Sequence, residues 1–227
     1  MKLKYLGHSA FYIEAEGLKA LIDPFLDGNP LAASKASDFT DVNFIFVTHG
    51  HGDHVGNAVE IAKRCGAAII CPTELAPFLA AQSVKTEGMQ IGASFDFAFG
   101  KVKLTPALHG STYVVNGKAE YAGLACGFLI CAGGKKIYHA GDTALTMDML
   151  LLAEEDIDAA LLPIGGYYTM DAKDAARAAK FVDAGVAIPM HYDTFPVIRR
   201  NPEDFVRLCS ENDVCAKILA AGGEIVL

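Results

Sequence analysis

Three histidines and an aspartate lie within residues 49–54, which read His-Gly-His-Gly-Asp-His. The run directly follows residues 44–47, a short apolar stretch whose aromatic and β-branched side chains predict a buried strand. Its glycines let a short backbone curl, so that side chains several residues apart can converge. Neutral imidazole and carboxylate groups are natural ligands of zinc and of neighbouring divalent metals. The run therefore predicts a metal site where a buried strand ends.

Three later residues are placed in the same way as this first run. His109, Asp142 and His191 each follow an apolar stretch that predicts a strand. Two metal ions need more ligands than residues 49–54 offer, and histidine and aspartate are the residue types that supply them. Any one of the three alone could be an ordinary polar residue at a strand end. Because all three follow strands, together they favour one shared site.

Length and composition are those of one ordinary globular domain. The chain has 227 residues, of which 52% are hydrophobic and 20% are charged, a balance that allows a large core. No linker, repeat or low-complexity tract marks a boundary, so we predict a single domain over residues 1–227. No apolar run approaches the roughly 20 residues of a membrane span. The N-terminus also lacks the apolar stretch of a signal peptide.

The net charge and the cysteines indicate which binding partners and which cellular compartment to expect. The net charge is −8, from 19 Lys+Arg against 27 Asp+Glu, and no basic stripe is present. Nucleic-acid binding draws most of its strength from cationic side chains at phosphates, so we expect a small-molecule substrate and neither nucleic acid nor a membrane as partner. The six cysteines form no C-x-x-C pair, which predicts free thiols in a reducing cytoplasm. The sequence leaves a homo-oligomer open.

Hydrophobic periodicity predicts two sheet-forming halves, each with helices. The expected strands are residues 3–6, 10–14, 18–22, 43–48, 67–71, 159–162, 186–190, 217–219 and 224–227, with further β segments within 89–108 and 124–139. The expected helices are residues 56–64, 172–183 and 202–211, one near Thr73 that its hydroxyl caps, and one from Thr146. Gly185 stands where a helix C-cap glycine is expected. This pattern indicates a mixed α/β domain built of layers.

Short motifs outside the histidine run give the sequence a family resemblance. Residues 6–9 (Leu-Gly-His-Ser), 22–24 (Ile-Asp-Pro) and 138–143 (Tyr-His-Ala-Gly-Asp-Thr), together with residues 49–54, resemble the metallo-β-lactamase superfamily. Within it they are similar to a branch of small metal-dependent hydrolases related to the ascorbate-phosphate lactonases. The resemblance covers essentially the whole chain. It implies a four-layer αββα sandwich with the metals at one edge, between the sheets.

The resemblance also implies a complete set of metal ligands. Two divalent metal ions are expected, with zinc as the first expectation and manganese or iron as alternatives. The implied ligands are His49, His51 and His109 for the first metal, Asp53, His54 and His191 for the second, and Asp142 bridging both. Two such ions lower the pKa of water, so that a hydroxide between them attacks a carbonyl or phosphoryl centre. Asp53 is the expected catalytic carboxylate, which orients the water or carries a proton to the leaving group.

Weaker signals surround this set, each with two interpretations. The resemblance places His8 near the site, as a substrate contact or as a partner of a metal ligand, although a lone histidine is as often an ordinary buried residue. Asp23 is expected to orient a metal ligand rather than only to cap a turn. Tyr168 lies in a loop of residues 165–169 that either faces the substrate or packs, with Thr169 capping the following helix.

Other polar residues near these motifs are expected to play lesser parts. His139 is expected to support the site or the core rather than to bind metal. Residues 193–196 follow His191 closely enough to line the mouth of the site. Arg199 and Arg200 are expected to form a solvated surface pair rather than to meet an anionic substrate.

The function that fits best is hydrolysis of a small ester-like substrate: a lactone, a thioester or a phosphodiester. A nuclease or RNA-processing enzyme could use the same metals, but it needs a basic channel or an added nucleic-acid domain. Redox chemistry at a di-iron site normally comes with a flavin domain, for which the chain has no room. A non-enzymatic metal-binding protein is disfavoured, because a structural metal site is usually closed by four ligands.

Overall fold

The computed structural model describes the whole chain, residues 1–227, and its strands form two main sheets and one hairpin. In the first sheet, six strands lie side by side in chain order. They are β1 (Lys2–Gly7), β2 (Ala10–Ala15), β3 (Leu18–Ile22), β4 (Phe44–Phe46), β5 (Ala68–Pro72) and β6 (Lys85–Met89). The strands from β3 to β6 are parallel, and β1 and β2 pair antiparallel.

The remaining strands form the hairpin, the second sheet and the far edge of the first. They are β7 (Ser94–Phe97), β8 (Gly100–Pro106), β9 (Thr112–Val115), β10 (Lys118–Tyr121), β11 (Cys126–Ala132), β12 (Lys135–His139), β13 (Ala159–Pro163), β14 (Val186–Met190) and β15 (Glu224–Val226). The second sheet has the order β14-β13-β12-β11-β8-β7, and β9 pairs only with β10. The last strand, β15, pairs with β1.

Five α-helices and three 3₁₀ helices accompany these strands. The α-helices are α1 (Gly52–Val55), α2 (Ala58–Cys65), α3 (Ala76–Ala80), α4 (Ala172–Val182) and α5 (Pro202–Ser210). The 3₁₀ helices are Ala36–Asp38, Met147–Glu155 and Pro196–Ile198. None of the helices has the length and the apolar character that a membrane crossing requires.

Three separate apolar cores define four layers. Between the sheets, Phe46 of β4 packs edge-on against Phe128 of β11, with ring centroids 5.3 Å apart. A second core covers the outer face of the first sheet and includes Ile61 of α2. A third covers the outer face of the second sheet and includes Ala175 of α4 and Phe205 of α5. The order helix, sheet, sheet, helix confirms the four-layer αββα sandwich that the resemblance implied.

Helix α4 shows how the sequence builds one of the outer layers. The carboxylate of Asp171 caps its start by accepting a hydrogen bond from the backbone N–H of Asp174. Small alanines recur on its buried face, which lets the helix lie close to the second sheet. Its C-cap is Asp183, in the left-handed conformation. Thr169 therefore does not cap this helix, and the prediction that Gly185 is the C-cap was wrong.

Three other local predictions were also wrong. The segment after Thr146 winds as a 3₁₀ helix rather than an α-helix. Thr73 caps no helix, since its backbone still follows the sheet and its N–H donates to the carbonyl oxygen of Met89. Residues 217–219 form no strand, because the chain there meets the second sheet only through a single bridge at Ala216. For Thr73, a contact distant in sequence outweighs the local propensity.

The sequence did not predict β6, β9 or β10, and two of these strands, β6 and β10, are polar and exposed. All residues of β6, at the edge of the first sheet, are at least partly exposed, and all four residues of β10 are exposed. Their sequences, Lys-Thr-Glu-Gly-Met and Lys-Ala-Glu-Tyr, lack the apolar alternation of a half-buried strand. Edge strands and surface hairpins do not need that alternation, so periodicity could not identify them.

The ends of six strands bring the candidate residues to one edge of the sandwich. The strands β1, β3 and β4 run in one direction in the first sheet, as do β8, β12 and β14 in the second. Ligands of α/β sheets bind outside the carboxyl ends of such strands. The segments that follow these ends carry His8, Asp23, residues 49–54, His109, Asp142 and His191.

Candidate metal centre

The histidine run leaves β4 through a tight turn and enters a single turn of helix. His51 precedes α1 with an extended backbone, and Asp53 and His54 lie inside that helix. A glycine is required at position 50, because a Cβ on Gly50 would lie 2.7 Å from the carbonyl oxygen of Thr112 in the hairpin. Glycine here thus permits close approach of two backbones as well as a sharp turn.

One group of candidate ligands consists of three histidines. His49 Nε2 and His51 Nδ1 are 3.0 Å apart, and one ring nitrogen each of His49, His51 and His109 lies within 4.8 Å of the others. Burial is the largest cause that lowers the pKa of all three imidazoles. Three neutral rings with converging nitrogens offer lone pairs to a cation.

A second group lies beside the first. It contains Asp53, His54 and His191, the three residues that the resemblance implied for a second metal, and it also contains His8. The candidate ligand atoms of these four side chains all lie within 4.8 Å of one another. His54 and His191 are buried, whereas Asp53 is partly exposed. This group is therefore accessible from solvent on the Asp53 side.

Asp142 lies between the two groups and touches both. Its Oδ1 is 3.2 Å from His54 Nε2, and its Oδ2 is 3.1 Å from His191 Nε2. The same Oδ2 is 3.5 Å from His109 Nε2, which belongs to the first group. A carboxylate in this position can reach a cation in either group.

The buried polar atoms at this junction lack hydrogen-bond partners. His54 Nε2, Asp142 Oδ1 and His191 Nε2 are fully buried and form no hydrogen bond of acceptable geometry, although the Asp142 carboxylate lies 3.2 Å from His54 and 3.1 Å from His191. Leaving such atoms unsatisfied costs about 1–3 kcal/mol each. A divalent cation bound among them satisfies all three, and the donor set of imidazole and carboxylate suits zinc and its neighbours. The residues present therefore fit a metal site.

Asp23 and Thr48 fix the orientation of two of these histidines. His54 Nδ1 donates to Asp23 Oδ2 over 2.7 Å, which directs Nε2 toward Asp142. The Thr48 hydroxyl donates to the same Asp23 oxygen over 2.7 Å and lies 3.0 Å from His49 Nδ1, where it can accept. The backbone N–H of Thr48 donates to Asp23 Oδ1. Hydrogen bonds of this kind fix the tautomer and the ring orientation of a ligating histidine.

Comparison with known proteins shows which family this chain belongs to. Residues 19–192 match the β-lactamase superfamily domain. A UPF0173 metal-dependent hydrolase of Carboxydothermus hydrogenoformans is 50% identical over 228 residues, which cover 100% of both chains. This chain belongs to the metallo-β-lactamase superfamily. It is a metal-dependent hydrolase, as the sequence predicted.

Two further relatives support this membership. A UPF0173 metal-dependent hydrolase of Anoxybacillus flavithermus is 53% identical over 210 residues, 92% of this chain and 93% of that one. Among solved structures, Igni18, a metallo hydrolase of Ignicoccus hospitalis, superimposes with a TM-score of 0.89 at 35% identity. The superposition covers 99% of this chain and 97% of that one. The two proteins thus share the αββα architecture over almost their full length.

At the centre of the hydrolase site, His54 and Asp142 each shift the pKa of the other. Burial alone would lower the pKa of His54, but the carboxylates of Asp142 and Asp23 outweigh burial and raise that pKa well above its usual value. Burial alone would raise the pKa of Asp142, but His191 and His54 hold it well below its usual value. Each side chain stabilises the charged form of the other. The protein thus keeps a carboxylate at the centre of the site.

His8 is built into the hydrolase site from a strained position. Its backbone has a φ of +58°, which is uncommon for a residue with a side chain, and its ring is buried. Its Nδ1 is 2.8 Å from the Thr194 hydroxyl, and its Nε2 is 3.3 Å from Asp53 Oδ2. Burial is the main cause that lowers the pKa of His8 to about 4. The structure therefore places a neutral imidazole against the carboxylate of Asp53.

A recess of about 400 Å³ opens onto the candidate ligands. Tyr168 lines it, together with Phe195 and Val197. Of the two interpretations of the loop at residues 165–169, the one in which Tyr168 faces the site agrees with this position. Phe195 lies in the segment that the sequence expected at the mouth, but Val197 was missed because an isolated surface valine carries no sequence signal.

The structure also defines the neighbours of the central residues. His139 uses both ring nitrogens within the protein: Nε2 donates to the carbonyl oxygen of Ser9, and Nδ1 accepts from the N–H of Gly141. It thus joins the turn that carries His8 to the loop that carries Asp142, and it has no nitrogen left for a metal. The contacts of Thr48 and Thr194 were not predicted, although Thr48 directly precedes the histidine run.

Proposed function

We propose that this hydrolase binds two divalent metal ions and cleaves a small ester-like substrate: a lactone, a thioester or a phosphodiester. The observation that carries the proposal is the position of Asp142 between two groups of candidate ligands. Its buried, unpartnered Oδ1 faces the unpartnered Nε2 of His54. One metal would leave one group idle, whereas two metals use every side chain in both groups except His8, which contacts Asp53 instead.

Each of the two groups supplies the proposed ligands of one metal. They are His49, His51 and His109 for the first metal, Asp53, His54 and His191 for the second, and Asp142 for both. Five imidazoles and two carboxylates favour zinc, and manganese or iron could occupy the same donors according to supply. Asp23 and Thr48 act on the ligands rather than on the metals, because they bond to the ring nitrogens that face away from the junction.

Proton transfer is assigned to a residue of the chain itself. When bound, two divalent cations supply positive charge that acidifies water and polarises a carbonyl or phosphoryl oxygen. Asp53 is the carboxylate that can reach the substrate, since 29% of its side chain is exposed, against 3% for Asp142. We assign to Asp53 the proton that leaves the attacking water and passes to the leaving group. His8 holds Asp53 in place through the contact with its Oδ2.

The recess supports a small-molecule substrate. Its volume of about 400 Å³ is within the range of sites for small ligands. No lysine or arginine lines it, whereas a nuclease needs cationic side chains along a phosphate backbone. The overall charge of −8 agrees with this choice. We therefore favour a small metabolite over a nucleic acid as the substrate.

The proposal is tested by metal content and by turnover, measured on the same preparations. Mass spectrometry of the purified protein should find about two divalent metal ions per chain. The Zn²⁺-loaded and Mn²⁺-loaded proteins are then offered a phosphodiester, a lactone and a thioester. We expect turnover of one class, lost in His51→Ala and kept in Asp96→Ala, which removes an exposed charge in β7. Protein without stoichiometric metal, or Asp142→Ala with unchanged metal and activity, would refute the proposal.

A further inference from the structure

The recess combines the polar residues of the site with an apolar wall. Eight side chains line it. Five belong to the set of candidate ligands: His51, Asp53, His109, Asp142 and His191. The other three are aromatic or aliphatic, namely Tyr168, Phe195 and Val197, and we call these three the apolar wall. A substrate whose reacting group reaches the ligands must place its remaining atoms against this wall.

In the apolar wall, Phe195 is held by neighbouring rings, whereas Tyr168 and Val197 are exposed. The ring of Phe195 stacks at 6.4 Å on that of Phe25 and meets the His8 ring edge-on at 5.6 Å, so it is held from behind. Tyr168 is 54% exposed and Val197 is 46% exposed. Large apolar side chains that stay exposed beside a site gain free energy when a ligand covers them. A preformed wall of this kind gives affinity for an apolar group.

Cationic side chains near the site do not line the recess. Arg200 donates from Nη1 to the carbonyl oxygen of Arg199, and its backbone N–H donates to Asp193 Oδ1. Its guanidinium packs against Gly166, where a Cβ would lie 2.7 Å from Nη2. Neither arginine lines the recess. A negative charge on the substrate, away from the reacting group, would therefore have no positively charged side chain to pair with there.

We propose that the substrate of this site carries an uncharged, apolar group, aromatic or branched aliphatic, next to the bond that is cleaved. This inference rests on the proposed function, because the cleaved bond is placed at the candidate ligands. Tyr168, Phe195 and Val197 are the residues that select this group. A charged group in the same place loses its hydration without gaining a partner, which disfavours it.

The test compares three ligands that share one metal-binding head. Acetohydroxamate has no ring, benzohydroxamate adds a phenyl group, and 4-carboxybenzohydroxamate adds an anionic group to that ring. Their dissociation constants are measured by calorimetry on the Zn²⁺-loaded protein, without any need for turnover. Benzohydroxamate should bind at least about tenfold more tightly than acetohydroxamate, because the wall covers its ring. The added carboxylate should reduce that affinity at least several-fold.

Variants of the wall connect these affinities to named residues. Tyr168→Ala should remove most of the advantage of the phenyl group and leave the affinity for acetohydroxamate unchanged. Tyr121→Ala is the matched control, since Tyr121 is also a large exposed aromatic residue but does not line the recess. Val197→Lys adds the missing cation, so it should reverse the preference in favour of 4-carboxybenzohydroxamate. Both substituted wall positions are exposed, so we expect both variants to fold as the unmodified protein does.

The outcomes separate this inference from the function on which it rests. A protein that binds no divalent metal ion, whether zinc, manganese or iron, refutes the proposed function, and the inference with it. A protein that binds zinc and hydroxamates but gains nothing from the phenyl ring refutes the inference alone. Tighter binding of 4-carboxybenzohydroxamate than of benzohydroxamate by the unmodified protein also overturns it, since an anionic group would then be preferred.

Discussion

His54 Nδ1 donates a hydrogen bond of 2.7 Å to Asp23 Oδ2, and both side chains are fully buried. The two residues are 31 positions apart in the chain and follow neighbouring parallel strands, β3 and β4. Asp23 also accepts from the backbone N–H and the hydroxyl of Thr48. One carboxylate thus holds the turn that carries the histidine run and sets the direction of His54.

The first prediction concerns this contact. Asp23→Ala should lower the affinity for divalent metal by about 10–100-fold, because His54 and Thr48 lose the partner that orients them. Competition with a chromophoric chelator measures the change. Asp96→Ala, which removes an exposed carboxylate far from these contacts, should bind metal as tightly as the unmodified protein. Unchanged affinity in Asp23→Ala would show that His54 keeps its orientation without this hydrogen bond.

Site-selective loss of metal is the second prediction. His191→Ala removes a ligand of the second group alone, so the protein should retain about one metal ion per chain. Asp142→Ala removes the carboxylate that touches both groups, so its metal content should fall below that of His191→Ala. Mass spectrometry after dialysis against metal-free buffer gives both values. Equal metal content in the two variants would contradict a bridging position for Asp142.

Metal removal should destabilise the fold. A metal that binds only the native state adds about 2.7 kcal/mol of stability at a free concentration of one hundred times its Kd. For a chain of this size that corresponds to a rise in Tm of roughly 5–10 °C. Thermal unfolding with Zn²⁺ and with a chelator should therefore differ by about this amount. The difference should shrink in Asp142→Ala, whose buried neighbours lose their shared carboxylate.

His8 is predicted to act through Asp53 rather than as a ligand. His8→Ala should retain about two metal ions per chain and lower kcat about 10–100-fold, because Asp53 loses the contact that positions it. KM should change less, since His8 does not line the recess. Metal analysis and steady-state kinetics are needed on the same sample. Loss of one metal ion in this variant would instead identify His8 as a ligand of the second metal.

The sequence could predict that the candidate ligands lie near one another, because each follows the carboxyl end of an apolar strand. Periodicity identifies such strands, and the layered fold then brings their ends to one edge. His109, Asp142 and His191 could be proposed in this way although they are far apart in the chain. All seven candidate ligands do come together in the structure.

The supporting contacts could not be predicted, since they depend on placement in three dimensions. Thr194 meets His8 across 186 positions of the chain, and a threonine at a strand end carries no signal of such a contact. The same holds for Val197, which is an unremarkable surface residue until the fold places it at the recess. Sequence patterns thus indicate which side chains of a segment are buried. The roles of Thr194 and Val197 depend instead on the residues that they contact in the folded protein.

The last prediction concerns the glycine beside the central carboxylate. Gly141 has a φ of +62°, and a Cβ there would lie 2.5 Å from the carbonyl oxygen of Cys126 and 3.1 Å from the Thr48 side chain. Gly141→Ala therefore adds a backbone clash to the conformational strain of a left-handed residue. We expect it to lower the free energy of unfolding by at least about 3 kcal/mol and to weaken metal binding, because Asp142 is the next residue.

A second glycine separates the two effects. Gly66 has a similar φ of +70°, but a Cβ there would meet nothing within 4 Å. Gly66→Ala should therefore cost only the strain of the left-handed conformation, about 1–2 kcal/mol, and leave metal affinity unchanged. Urea unfolding and chelator competition on both variants make the comparison. If the two variants lost stability equally and both bound metal normally, the close packing of Gly141 would have no role in holding Asp142.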